Sequence, residues 1–284
     1  MGTIAAAALA APAVWGKSIK KVGLQLYTVR TDLEKDFDGT LAKVAAIGYK
    51  EVEFAGYFKH TPQQVRDALK AHGLTSPSAH IDYPTVSTPD AWAKTLDDAK
   101  TIGHTFLVNA WVDESVRNQP DFWKRGADVY NTAGAAAQKH GIQFCYHNHN
   151  FEFYPRADAG GKTPMDILLE ACDPKLVKME LDLCWISAAG KDPLEYFRRS
   201  PGRFPLVHVK GLRKVPAPSS DPTPIAQVLP DVTDVGRDDV VDWKRILTRS
   251  QEAGIRHYFV EHDQPKDPFA SLKASYEYVS KLEF

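Results

Sequence analysis

Seven polar residues fall, one by one, where hydrophobic strand-like runs end: Glu53, His80, Asn109, His147, Asp182, His208 and Glu261. Carboxylates and imidazoles gathered on one face would make a site for a hard metal ion, and a metal beside carboxylates implies proton-transfer chemistry. Three of the seven form the strongest group. Asp182 closes the run VKMELD, whose apolar residues keep out an ionised carboxylate unless it is paired or metal-bound. His208 sits in PLVHVKG and Glu261 ends HYFVE. Two carboxylates and an imidazole suit one divalent ion of Mn, Mg, Zn, Co or Fe better than a thiolate-seeking metal.

The fifth run ends in Tyr146-His147-Asn148-His149-Asn150-Phe151-Glu152-Phe153. Strand alternation puts His147 and His149 on one side and Tyr146, Asn148 and Asn150 on the other. One of the two histidines is a candidate fourth ligand; the other is a candidate for binding substrate or moving a proton. Glu261 is the first choice for a base, because an ionised carboxylate is a ready proton acceptor, with His147 and His149 next. Glu53, His80 and Asn109 are candidates for the substrate pocket. Lys210 shares the side of its strand with His208 and suits an oxyanion or hydroxyl. Trp111 and Trp185 follow the fourth and sixth runs, where an aromatic face could stack on a sugar.

These residues work together only if their strands run parallel. A near-repeat says that they do. A helical segment ends in glycine and a strand starts within a few residues at Gly48, Gly73, Gly103, Gly141 and Gly254. Glycine there takes the left-handed conformation that stops a helix, so His72 and His140, just before two of these glycines, read as helix C-terminal residues rather than ligands. Thr61-Pro62, Thr88-Pro89, Thr163-Pro164 and Asp192-Pro193 each place a capping side chain before a proline of the first turn. Eight short apolar strands alternate with helices from Val22 onward: VGLQLY, KEVEF, TSPSA, TFLVN, IQFCYH, VKMELD, PLVHV and HYFVE. That alternation implies a parallel sheet, and eight units in about 260 residues fit an α/β fold of one (β/α)8 barrel domain. A doubly wound open sheet is the alternative, but it usually carries a glycine-rich phosphate loop after its first strand; here Tyr27-Thr28-Val29-Arg30 follows instead. The long Pro-, Ser- and Asp-rich connection from Gly211 to Val241 leaves the same face and is expected to cover substrate.

Net charge of −1 gives no electrostatic case for nucleic acid or an anionic membrane as partner. The three cysteines lack a CxxC pair, which argues against a disulfide framework or a zinc ribbon. Residues 1–18 contain the short Ala-rich run IAAAALAAPAVWG before Lys17–Lys21; it is too short to span a bilayer and has the character of an export signal without its basic start. The expectation is a periplasmic or secreted protein, with a cytoplasmic one as alternative, whose barrel occupies residues 19–284.

The motifs VGLQLYTVR, YHNHNFEF, MELDLCW, VHVKG and VEHD, in this order over nearly the whole chain, resemble the xylose-isomerase-like TIM-barrel superfamily of sugar isomerases and epimerases. The resemblance implies that strands five to eight supply Glu, Asp, His and Glu to one divalent metal. Asp182, His208 and Glu261 match the last three, and His147 stands where the strand-five Glu is expected. The implied function is a divalent-metal-dependent isomerase or epimerase that removes a proton α to a carbonyl of a small sugar or keto-sugar and passes through an enediolate. The missing glutamate puts a two-glutamate epimerisation in doubt. A lyase or hydrolase cleaving 3-keto-glycosides by β-elimination is the alternative, and a non-catalytic sugar- or metal-binding barrel is the reading of another class. The endonuclease branch of the superfamily is disfavoured by the near-neutral charge.

Overall fold

Helix ends and starts fall where glycine and proline put them. Gly48, Gly73, Gly103, Gly141 and Gly254 all have positive φ. At Gly48 a side chain is excluded twice over, by φ of +126° and by the Tyr276 ring, which lies 2.4 Å from the place of a Cβ. His72 and His140 are the C-cap residues of helices Pro62–Ala71 and Phe122–Lys139. Thr61, Thr163 and Asp192 accept backbone N–H groups at their helix starts. Thr88 departs from expectation. It makes no side-chain cap, because it is also the C-cap of the preceding helix Tyr83–Ser87 and its backbone is fixed by that role.

The computed structural model describes residues 17–284. The export-signal reading rests on residues 1–16, which lie outside the described residues. Eight parallel strands close into a barrel in the expected order. They are β1 (Gly23–Gln25), β2 (Glu51–Phe54), β3 (Thr75–Asp82), β4 (Phe106–Trp111), β5 (Gln143–His147), β6 (Val177–Asp182), β7 (Leu206–Val209) and β8 (His257–Val260). β8 returns to pair with β1, so no edge is left open. Ser18 bridges antiparallel to Glu283, which ties the start of the described chain to its end. Among the described residues no helix is long and apolar enough to cross a membrane.

Alternation decides which residues enter the barrel. On β6, Val177, Met179 and Leu181 belong to the main hydrophobic core, while Glu180 and Asp182 face their counterparts across the barrel. Phe106, Val108, Cys145, Leu206 and Phe259 form a separate apolar cluster that fills the barrel interior. Beyond it, toward the C-terminal ends of the strands, the interior turns polar. Register brings like levels together: His147 lies beside Glu180, Asp182 beside His208, and Glu53 between Gln25 and Ser78. Cys145, Cys172 and Cys184 are buried and free.

The connection after β7 is structured. Gly211–Leu212 pairs antiparallel with Val232–Thr233, and a short helix, Ile225–Val228, lies between them. Away from the barrel mouth, His104 is buried with its Nδ1 2.7 Å from the Ser76 carbonyl and its Nε2 3.1 Å from the Tyr57 hydroxyl. Burial pushes its pKa down to about 4, partly offset by the Ser76 bond. The folded state therefore binds fewer protons here than the unfolded chain between pH 6.5 and 4, so its contribution is full above pH 6.5 and is lost as pH falls toward 4. Denaturant unfolding at pH 7.5 and 5 should show a smaller acid-induced loss of stability in His104→Gln than in wild type, by about 1–2 kcal/mol. Equal losses would exclude His104 as a source of acid sensitivity.

Candidate functional site

The polar layer is organised around His208. Its Nε2 lies 2.8 Å from Glu53 Oε2 and 3.3 Å from Glu180 Oε2; its Nδ1 lies 3.0 Å from Glu261 Oε2 and 3.7 Å from Asp182 Oδ2. Burial alone would lower its pKa, but Glu180, Glu261 and Glu53 hold it well above the usual histidine value. Two metal-competent groups share this imidazole: Asp182, His208 and Glu261, and below them His80, His147, Glu180 and His208.

The upper group is the better fit to a hard divalent ion. Asp182 is fully buried; its Oδ1 accepts the Trp185 N–H, while its Oδ2 has no hydrogen-bond partner. Burial pushes the Asp182 pKa up against the pull of Lys210 and His208. Lys210 Nζ stands 2.7 Å from Glu261 Oε2, 2.9 Å from Asp263 Oδ2 and 3.2 Å from Asp182 Oδ2. Counted as ionised, Glu53, Glu180, Asp182, Glu261 and Asp263 carry five negative charges, against two positive ones on Lys210 and protonated His80 once His208 is neutral, as a metal ligand must be. That excess of negative charge favours a divalent cation. The bonds from His208 Nε2 to Glu53 and Glu180 would keep the proton on that nitrogen and leave Nδ1 free as the donor atom.

Glu53, expected in the substrate pocket, lies beneath it. It is fully buried, and its oxygens accept from Gln25 Nε2 (2.6 Å) and Ser78 Oγ (2.5 Å) besides meeting both histidines. His80 and His208 hold its pKa below the carboxylate range against burial, the largest effect, which acts the other way. His80 lines the cavity and meets Glu180 at 2.8 Å; burial opposes its charge, but Glu53 and Glu180 raise its pKa to about 9. Asn109 is placed elsewhere. It shares the parity of Leu107, faces the outer helices, and spends its amide on Tyr130 and on the carbonyls of Ile81 and Trp111.

The strand-five segment divides its tasks. His147 Nδ1 lies 3.0 Å from Glu180 Oε2, and burial lowers its pKa well below normal, leaving it neutral. It belongs with the lower group, so the fourth-ligand expectation meets the Asp182 group only through His208. Asn148 accepts the backbone N–H of Asp182 and so fixes the strand end that carries the carboxylate. His149 belongs to neither group. Its Nδ1 is buried without a partner, it packs edge-on against Trp111, and burial lowers its pKa to about 3. Glu152 clamps this turn, accepting from the Tyr146 hydroxyl (2.7 Å) and the His149 N–H (2.8 Å).

A cavity of about 610 Å³ opens above these residues. His80, His147, His149, Trp111, Trp185, Lys210 and Glu261 line it, as do Ile225, Ala226 and Leu229 from the long connection. Two site residues escaped the sequence reading. Glu180 is two residues before Asp182 and Asp263 two after Glu261, so the alternation that picked out their neighbours also pointed to them.

The family described as xylose isomerase-like TIM barrel matches residues 41–281. A Geobacillus thermodenitrificans protein named inosose dehydratase is 24% identical over 271 residues, covering 87% of this chain and 88% of its own length. A Clostridium perfringens inosose dehydratase is 24% identical over 199 residues; that match takes in 64% of this chain and spans 65% of the relative's length. The solved structure of a sugar phosphate isomerase/epimerase from Parabacteroides distasonis superposes with a TM-score of 0.76 at 26% identity, covering 93% of this chain and 98% of that one.

Asp182→Asn should weaken divalent metal binding more than about tenfold, read as metal retained after dialysis, with the circular dichroism spectrum unchanged. Equal retention by the variant would remove Asp182 from the ligand set.

Proposed function

The chain belongs to the xylose isomerase-like TIM-barrel family, and from that premise we propose that it is a metal-dependent enzyme that enolises a small polyhydroxylated carbonyl compound and then expels the substituent β to the carbonyl. One observation carries this reading. The cavity is lined by the carboxylates of Glu261 and Asp263 from the end of β8 and by the imidazoles of His80, His147 and His149 from β3 and the end of β5. That arrangement supplies a base on one wall and an acid on the other, rather than two equivalent carboxylates.

A divalent ion held by Asp182, His208 and Glu261 would polarise the substrate carbonyl and stabilise the negative charge that develops on its oxygen. Glu261 takes the proton from the carbon α to the carbonyl. Its Oε2 is engaged by His208 and Lys210, while its Oε1 has no hydrogen bond within the described residues. Burial would raise its pKa, but Lys210 and His208 hold it well below normal, so it stays ionised throughout the neutral range. Lys210 orients Glu261 and faces the cavity as a cation. As the C–H bond breaks, its electron pair forms the carbon–carbon double bond and the β C–O bond releases its pair to oxygen. His80, cationic up to about pH 9, supplies the proton that the departing oxygen takes. His149 presents its unpartnered Nδ1 to a substrate hydroxyl, and Trp111 and Trp185 flank the ring. The inosose dehydratase names of the curated relatives support elimination as the outcome. The likeness to the Parabacteroides isomerase/epimerase favours the second reading, in which the same enolate is reprotonated without loss of a substituent.

Incubation with a keto-inositol and with simple ketoses in D2O, followed by NMR and ultraviolet absorbance, separates these outcomes. Elimination yields a conjugated product and water; deuterium uptake with retained oxygen count yields the isomerase reading; neither, with any of them, would leave only a binding role. Glu261→Gln should lower kcat by about 10²–10⁴-fold while keeping the fold, and retained activity would exclude it as the base.

A further inference from the structure

Beside the site cavity lies a second and larger one, of about 840 Å³. The two share Trp111, Ile225 and Ala226 in their walls. Each alone has the volume of a complete small-molecule pocket, about 300–1,000 Å³. A single sugar ring over the metal-competent residues leaves the second cavity unused.

Its walls have a specific chemistry. Trp111 is 43% exposed, an unusual state for so large a ring. Arg117 stacks on it and on Phe151, with its guanidinium 4.9 Å and 4.1 Å from the two ring centres. Arg117 is nearly buried and donates to the Val112 carbonyl, so this platform is fixed rather than mobile. Two wall atoms are buried without a hydrogen-bond partner: the Trp123 Nε1 donor and the Asn150 Oδ1 acceptor. Asn150 spends its amide hydrogen on the Thr223 carbonyl at 2.7 Å, which pins the long connection over the cavity and leaves Oδ1 free. A wall that holds both an unmatched donor and an unmatched acceptor suits hydroxyl groups, which both give and accept; a phosphate only accepts. Charge agrees. Glu114, Asp158 and Asp221 outnumber Arg117 and Arg156, and Arg156 is already held by Asp158 through two bonds of 2.9 and 3.0 Å.

We propose that the second cavity is a subsite for a neutral second sugar ring, so that the substrate is a keto-disaccharide whose glycosidic oxygen lies β to the carbonyl. This rests on the elimination reading above and deepens it: the departing group is the second sugar. The ring carrying the carbonyl enters the first cavity, and the second ring lies against the Trp111–Phe151 platform. Proton loss from the α carbon forms the double bond, the glycosidic C–O bond breaks, and its oxygen leaves protonated as the hydroxyl of the released sugar. No oxidant or reductant is consumed.

The test compares a keto-disaccharide with the methyl glycoside of the same keto-sugar, which has the same leaving atom but lacks the second ring. Wild type should favour the disaccharide at least tenfold in kcat/KM. Ala157→Trp, an exposed position that would fill the second cavity, should bring that ratio near one, and Trp123→Phe should lower it about threefold to tenfold. Should neither compound be cleaved, the same ratios are read as affinities by calorimetry on Glu261→Gln. A preference that collapses in Ala157→Trp then sustains the subsite while the elimination chemistry fails. A wild-type ratio near one, or a ratio untouched by both substitutions, overturns the subsite whatever the chemistry.

Discussion

One imidazole holds two layers of carboxylates apart and together. Glu53 and Glu180 meet His208 on one side, Asp182 and Glu261 on the other. Four carboxylates inside a barrel would repel one another strongly at this depth, where water screens little. The cations of His208, His80 and Lys210 make the cluster tolerable, His80 being placed by β3 and the other two by β7 and its end. The barrel must therefore close in one register for the site to be neutral enough to fold. Function and closure are linked by the same contacts, and a slip of one residue on β6 or β7 would turn these charges toward the helices.

That dependence explains what was legible in the sequence. The strands, the helix breaks and the site face followed from local signals: glycines with positive φ, prolines at helix starts, and polar residues ending apolar runs. Asp182, His208, Glu261, His147, His149, His80, Trp111, Trp185 and Lys210 all come to one cavity or its immediate wall. Depth and side were harder to see. Asn109 ends its run as the others do, but it has the outward parity of β4 and serves Tyr130. Glu53 lies near the end of β2 with the inward parity, yet Gln25 and Ser78 hold it below the floor. Glu180 sits inside a run rather than at its end, and a reading of ends passes over it. Only the pairing of strands, which is long-range information, distinguishes these cases.

The YHNHNFEF segment shows how densely one short stretch can be used. Its inward residues meet the cluster and the cavity, whereas its outward ones fix geometry: Asn148 fastens the Asp182 backbone, Asn150 fastens the long connection, and Glu152 fastens the turn between them. A buried carboxylate with a pKa near 7 is a costly fastener unless it is well bonded. Glu152 has two donors and sits on no charge-bearing wall of the cavity, which suits a structural role better than a catalytic one.

The histidine that stands where a strand-five glutamate is expected follows from its neighbour. His147 touches Glu180 at 3.0 Å, on an adjacent strand at the same level. A glutamate at 147 would set two buried carboxylates against each other, and one would have to take up a proton or a cation to remain. Neutral imidazole gives Glu180 a donor instead. Residues 147 and 180 are therefore one choice, not two. That choice takes a carboxylate away from the β5 side of the cavity and leaves the asymmetry of carboxylate and imidazole walls on which the reading of its chemistry rests.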